Sequence, residues 1–141
     1  MERLSQLSET ATEELVEYFT TQANWSARAV RIGIRANFRC EYCDKDLLGS
    51  PESYKSWQED HIIPKHAGID PDDENNIALS CRECNVDFKG RWDPRQACLK
   101  SDPCRQDLVS AVRDRVSRER TRIADQVARY RQKIEDVQYD A

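Results

Sequence analysis

Hydrophobic residues near the start of the chain recur at the spacing of helices. Ser8 and the glutamates after it are typical of a helix start, and the hydrophobic positions that follow predict a helix that ends near Gln22. These hydrophobic residues are Leu15, Val16, Tyr18 and Phe19. A second helix is expected after Ser26, with Gly33 as the weak point in its middle.

The middle of the chain alternates short hydrophobic runs with turn residues. We predict a strand over residues 57–63, ended by Pro64 because proline lacks the N–H that a strand ladder needs. Residues 77–79 predict a short returning strand, and Ser80 is expected to cap a helix that runs to about Lys89. The centre is therefore predicted to fold as strand, loop, strand and helix.

The last predicted element is one long amphipathic helix from about Cys104 to Gln138. This segment lacks glycine and proline, and its hydrophobic residues recur at steps of three, four or seven. A break in the heptad near Glu119 and Val127 argues against an uninterrupted coiled coil. We expect the narrow hydrophobic stripe to pack on the N-terminal helix or, alternatively, to form a homodimer with the same helix of a second copy.

Composition bounds the size of the core and the class of protein. The 141 residues are 38% hydrophobic and 34% charged, which suits a small domain with helical extensions. No hydrophobic run approaches the roughly 20 residues of a membrane span, and residues 1–9 contain no apolar signal segment, so a soluble cytoplasmic protein without membrane contact is expected. The net charge of −4 leaves nucleic-acid binding to local basic patches.

Two matched cysteine pairs are the most specific motif of the chain. Cys40 and Cys43 form one Cys-x-x-Cys pair, and Cys81 and Cys84 form the other, a spacing typical of a four-thiolate structural zinc site. The alternatives are ordinary buried thiols or a disulfide framework, which would require an oxidising compartment. The two further cysteines have a poor spacing for a second pair and are interpreted as structural or incidental thiols. They are Cys98 and Cys104.

Candidate catalytic residues lie between and beside the cysteine pairs. The pair Asp60 and His61 is followed by Ile-Ile-Pro, Asn76 stands five residues before the second cysteine pair, and Asn85 follows that pair directly. Over about residues 39–94 this pattern resembles the HNH endonuclease family. The resemblance implies a ββα-metal fold in which a four-cysteine zinc site supports a separate catalytic divalent ion.

The resemblance also implies a role for each matching residue. His61 corresponds to the general base, Asp60 to a ligand of the catalytic ion, and Asn76 to the asparagine that orients the loop or the base. Asn85 stands where the family usually has its last histidine, a metal ligand, and this substitution is a departure from the family pattern.

The chemistry of these residue types agrees with those roles. Imidazole has a pKa near 6.5 and can accept a proton from water at cytoplasmic pH. A hard ion such as Mg²⁺ or Mn²⁺ prefers oxygen donors, which Asp60 and the amide of Asn85 would supply. Arg82, Lys89 and Arg91 flank this site and are candidates for phosphate contact. His66 is interpreted as a surface residue and not a metal ligand. The three tryptophans are interpreted as core residues, namely Trp25, Trp57 and Trp92.

We therefore predict an α+β protein: a small zinc-stapled ββα-metal centre at residues 37–95, N-terminal helices within 1–36 and a long C-terminal helix within 96–141. The expected function is that of a metal-dependent HNH-type endonuclease that hydrolyses DNA and leaves 5′-phosphate and 3′-hydroxyl ends. The alternative is a non-catalytic zinc module that binds nucleic acid or protein.

Overall fold

Serine caps begin the first three helices of the fold. The computed structural model describes residues 7–140, without the side chains of residues 66, 139 and 140. Helix α1 spans Glu9–Gln22, α2 spans Ala27–Arg35 and α3 spans Pro51–Lys55. The preceding residues Ser8, Ser26 and Ser50 each accept a backbone N–H with the side-chain oxygen, at 3.1, 3.0 and 3.0 Å.

The first two of these helices are confirmed, whereas α3 lies in a stretch rich in turn residues where the pattern predicted no element. Its single turn forms because Ser50 caps it and Pro51 supplies a backbone angle already suited to a first helical residue. Gly33, expected to weaken α2, has a packing role: a Cβ atom there would lie 2.6 Å from Phe38 Cε1 and 2.9 Å from the ring of Trp57.

Two short antiparallel strands form the sheet. Strand β1 spans Trp57–His61 and β2 spans Ile77–Cys81, with Trp57 opposite Cys81 and His61 opposite Ile77. Strand β1 is two residues shorter than predicted. Strand β2 is longer at its end, because Ser80 pairs in the ladder before the next helix begins.

A π-helix follows β2 and contains Cys84, the second cysteine of the second pair. This helix, α4, spans Glu83–Lys89, and its wide turn is visible where the N–H of Gly90 bonds to the carbonyl of Asn85 at 3.0 Å. Single 3₁₀ turns occupy Lys65–Ala67, Glu74–Asn76 and Pro94–Ala97.

The long C-terminal helix α5 spans Arg105–Asp140, as predicted to within a few residues. Its first turns bury Leu108, Val112 and Val116 in the core formed by the sheet and the four cysteines. That core is completed by the buried side chains of Ile32, Cys40, Tyr42, Leu47, Ile62, Ile77, Ala78, Leu79, Cys81 and Cys84.

The expectation that α5 packs on the N-terminal helix is wrong. Leu15, Val16 and Phe19 of α1 instead pack against a second cluster formed by Val30, Ile34 and Phe38. Trp25 and Trp57 join this cluster, and the ring of Trp25 stacks on that of Phe19 with a centroid distance of 4.3 Å. Because α2 already covers the apolar side of α1, α5 packs on α4 and on the turn Pro94–Ala97 instead.

The second half of α5 extends beyond these contacts. Val127, Tyr130, Ile134 and Val137 follow one another at steps of three and four residues, and each is between 52% and 60% exposed. We call these four residues the distal stripe of α5. Among the described residues, no helix is both long enough and apolar enough to cross a membrane.

Candidate active site

The four cysteines of the two pairs converge beside the sheet. Cys40 and Cys43 lie in the loop after α2, Cys81 ends β2 and Cys84 lies in the first turn of α4. Their sulfur atoms all lie within 4.8 Å of one another, and Sγ of Cys43 is 3.8 Å from Sγ of Cys81. A tetrahedral zinc ion with Zn–S bonds of about 2.3 Å separates its sulfur ligands by about 3.8 Å. The four side chains therefore fit a structural zinc ion.

Hydrogen bonds among the four thiols shift their pKa values in opposite directions, downward for Cys40 and Cys43 and upward for Cys81 and Cys84. Hydrogen bonds from Cys40, Cys81 and Cys84 lower the pKa of the Cys43 thiol, because they stabilise its thiolate. Arg120 of α5 donates to Sγ of Cys84 at 3.6 Å, so the long helix adds a positive charge beside the site.

A cleft of about 450 Å³ lies alongside this cysteine site. It brings together five of the residues selected from the sequence. The lining residues are Glu59, Asp60, His61, Pro64, Lys65, Asn85, Lys89, Gly90 and Arg91.

Asp60 is the buried carboxylate of the cleft and is 7% exposed. Its Oδ2 atom accepts a hydrogen bond from the hydroxyl of Tyr42 at 2.6 Å and lies 3.1 Å from Nζ of Lys89. Burial raises the pKa of the Asp60 carboxyl, and the charge of Lys89 and the hydrogen bond from Tyr42 oppose that rise. The carboxylate is therefore held by two partners inside the protein.

His61 is oriented by the backbone of the loop between the strands. Its Nε2 atom lies 2.9 Å from the carbonyl oxygen of Pro71. A carbonyl oxygen can only accept, so this contact assigns the proton of the neutral ring to Nε2 and leaves Nδ1 as the basic nitrogen. The arrangement can therefore accept a proton at Nδ1.

Asn76 closes the same loop at its other end and is buried. Its Oδ1 atom accepts the N–H of Ile63 at 2.9 Å, and its Nδ2 atom donates to the carbonyl of Ile63 at 2.9 Å. The carbonyl of Asn76 also accepts the N–H of Ile62 at 2.8 Å. These contacts fix the chain directly after His61.

Asn85 faces the cleft from α4. Its Nδ2 atom donates to Oε1 of Gln58 at 2.6 Å, which fixes the amide and leaves its oxygen as the end that could bind a cation. Asp60 and Asn85 thus bring a carboxylate and an amide oxygen to the same cleft.

The three candidates for phosphate contact differ in exposure. Arg82 and Arg91 are exposed, and Arg91 lines the cleft. Lys89 is only 3% exposed, and its ammonium group donates to the carbonyl of His61 at 3.1 Å in addition to its contact with Asp60. Lys89 therefore faces the Asp60 carboxylate from inside the protein.

Tyr42 is the site residue that the sequence analysis missed. It stands between the two cysteines of the first pair, where the spacing directs attention to the sulfur ligands, and its contact with Asp60 depends on the tertiary structure. Of the remaining candidates, Cys98 is half-buried and Cys104 is exposed, both as free thiols. The side chain of His66, expected on the surface, lies outside the described residues.

Comparison with known proteins identifies the central segment. Residues 40–89 match the family model described as HNH endonuclease. Neither the curated proteins nor the solved structures contain a significant match to the chain. The matched segment begins at the first zinc-site cysteine and ends at Lys89, so it contains both cysteine pairs, Asp60, His61, Asn76 and Asn85. The resemblance inferred from the motifs is confirmed over this segment.

Proposed function

We propose that the protein is a metal-dependent HNH-type endonuclease that hydrolyses phosphodiester bonds of DNA. The observation that carries the proposal is that Asp60, His61 and Asn85 line one cleft beside the four-cysteine site. A scaffold that only bound zinc would not need a base and two hard oxygen donors at one cleft.

His61 is the proposed general base. Its Nε2–H is bound to the carbonyl of Pro71, so Nδ1 can take the proton of an attacking water molecule. The resulting imidazolium is stabilised by the same carbonyl, because its dipole faces the protonated ring. Hydrolysis would leave a 5′-phosphate and a 3′-hydroxyl end.

Asp60 and Asn85 are the proposed holders of one catalytic divalent ion, Mg²⁺ or Mn²⁺. When bound, such an ion would neutralise negative charge on the phosphate and on the departing oxygen. The buried carboxylate and the fixed amide offer oxygen atoms from two different elements, β1 and α4. Asn76 supports this arrangement by fixing the loop that follows His61.

The four-cysteine site is proposed to hold structural zinc. It joins the loop after α2 to the end of β2 and to the start of α4. The loop after α2 carries Tyr42, the partner of Asp60, and α4 carries the proposed ligand Asn85. All six cysteines are free thiols, which is typical of a reducing compartment and supports the cytoplasm as the proposed location.

DNA is the proposed partner of the cleft. The chain carries a net charge of −4, so attraction of phosphate must come from local cations. Arg91 at the cleft and the exposed Arg82 beside the zinc site are the proposed phosphate contacts.

A homodimer through α5 is a second part of the proposal. The side chains of the distal stripe of α5 are spaced three and four residues apart, the spacing at which the side chains of two paired helices interlock. The stripe is exposed in the single chain. Pairing two copies would bring two clefts to one DNA duplex.

The experiment that tests the function is incubation of the zinc-loaded protein with supercoiled plasmid and Mg²⁺ or Mn²⁺. We expect conversion to the nicked form, and we expect EDTA to stop the reaction under conditions that leave the structural zinc in place. The rival function, a non-catalytic zinc module, predicts a mobility shift of DNA or of a protein partner without strand cleavage under any metal.

A further inference from the structure

Tyr42 contacts both the cysteine site and the candidate catalytic carboxylate. Its backbone N–H points to Sγ of Cys40 at 3.4 Å. Its side chain is 2% exposed, and its hydroxyl donates to Oδ2 of Asp60 at 2.6 Å. One residue thus joins the first cysteine pair to the buried carboxylate of β1.

The two oxygens of Asp60 differ in their surroundings. Oδ2 accepts from Tyr42 and lies 3.1 Å from Nζ of Lys89, whereas Oδ1 lies 3.5 Å from that same ammonium group. The hydroxyl of Tyr42 therefore fixes one oxygen of the carboxylate and leaves the other with more of its capacity to bind a cation.

A carboxylate that binds a metal ion needs a partner that holds its rotamer. Hydrogen bonds from outside the ligand set commonly orient metal ligands, and loss of one lowers metal affinity roughly 10- to 100-fold. Lys89 attracts the carboxylate but does not fix its rotamer, because an ammonium group offers three rotatable N–H donors. A hydroxyl offers a single O–H donor and therefore favours one orientation of the carboxylate. The directional contact in this cleft is that of Tyr42.

We propose that Tyr42 is a positioning residue that fixes the Asp60 carboxylate for the divalent ion and thereby couples the geometry of the cysteine site to the affinity of the cleft for that ion. This inference rests on the proposed function, which assigns the ion to Asp60.

The proposal is tested by titrating zinc-loaded protein with Mn²⁺. Electron paramagnetic resonance measures the concentration of free Mn²⁺ and so gives the Kd. Wild type is compared with Tyr42→Phe, with Asp60→Asn, and with Tyr18→Phe as a matched control, since Tyr18 is 57% exposed on α1. Zinc content and the melting temperature are measured for every variant.

We expect Tyr42→Phe to retain its zinc and to raise the Kd for Mn²⁺ roughly 10- to 100-fold, with Tyr18→Phe unchanged. Raising the Mn²⁺ concentration should restore cleavage by Tyr42→Phe, a rescue that a merely destabilised variant would not show. An unchanged Kd in zinc-loaded Tyr42→Phe overturns the positioning role. Equal binding by wild type and Asp60→Asn instead overturns the ion site of the proposed function, so the two failures are distinguishable.

A measurement on the wild type keeps the proposal open to refutation if Tyr42→Phe loses zinc. Tyrosine labelled with ¹³C at Cζ is titrated with Mg²⁺ in wild type and in Asp60→Asn. We expect the Tyr42 resonance to shift in the wild type and to stay constant in Asp60→Asn. A Tyr42 resonance that ignores Mg²⁺ in wild type protein overturns the coupling.

Discussion

His61 Nε2 lies 2.9 Å from the carbonyl oxygen of Pro71, ten residues further along the chain. The loop between β1 and β2 therefore sets the tautomer of the imidazole that the proposed mechanism uses as a base. Because a backbone carbonyl supplies this contact, no side-chain motif in the sequence reveals it.

The contact predicts the protonation pattern of the neutral ring. In its neutral form, His61 should carry its proton on Nε2, because only a donor can satisfy the Pro71 carbonyl. Long-range ¹H–¹⁵N correlation spectra resolve the two tautomers, and the chain contains only two histidines, so His66→Asn assigns the signals. A proton on Nδ1 of His61 would remove that nitrogen as the base.

The side chain of Asn76 should contribute more to the free energy of unfolding than the side chain of Asn75. Asn76→Ala removes two hydrogen bonds to the backbone of Ile63 and leaves those groups without their partner, which should lower the free energy of unfolding by about 1–3 kcal/mol. Urea unfolding of the zinc-loaded protein measures the change. Asn75→Ala is the matched control, since Asn75 is exposed and its neighbour's contacts stay intact. Equal stability of the two variants would show that Asn76 does not hold the loop.

Loss of one zinc ligand should unfold the centre of the protein. Structural zinc sites contribute on the order of 10 kcal/mol to folding, and Cys84 lies in the core shared by the sheet and α5. Cys84→Ala should therefore lose stoichiometric zinc and cooperative thermal unfolding, measured by metal analysis and circular dichroism. Cys104→Ala, which removes an exposed thiol, should keep both. Retention of zinc and of a cooperative transition by Cys84→Ala would refute the structural role of the site.

The distal stripe of α5 should control the oligomeric state. We expect the wild type to be a dimer in sedimentation equilibrium and Ile134→Asp to be a monomer, because the substitution places a charge in the apolar seam. Ala128→Asp adds the same charge to α5 outside the distal stripe and should leave the dimer intact. A monomeric wild type would contradict the proposed dimer through the distal stripe.

The parts of the fold that depend on local chemistry could be predicted from the sequence. Ser8 and Ser26 mark the starts of α1 and α2 because their side chains satisfy the first backbone N–H groups. The spacing of Cys40, Cys43, Cys81 and Cys84 predicts their convergence because four thiolates can share one ion.

Features that depend on tertiary packing were missed or wrong. The partner of α5 could not be chosen because hydrophobic periodicity identifies an apolar face without saying what covers it. The ion pair of Lys89 with Asp60 could not be predicted, because the sequence does not show that α4 turns this side chain toward the carboxylate. The contact of Tyr42 with Asp60 joins residues 18 positions apart, and no spacing rule connects them.

The most direct test of the proposed base is the rate at which zinc-loaded wild type and His61→Ala nick supercoiled plasmid. Both proteins are assayed at the same Mg²⁺ concentration, and the zinc content of each is measured. The variant should keep its zinc and its fold, since His61 is not among the four cysteine ligands, and should nick DNA about 100- to 10,000-fold more slowly, the usual contribution of a positioned base. Equal nicking rates for the two proteins would show that His61 is not the base of this cleft.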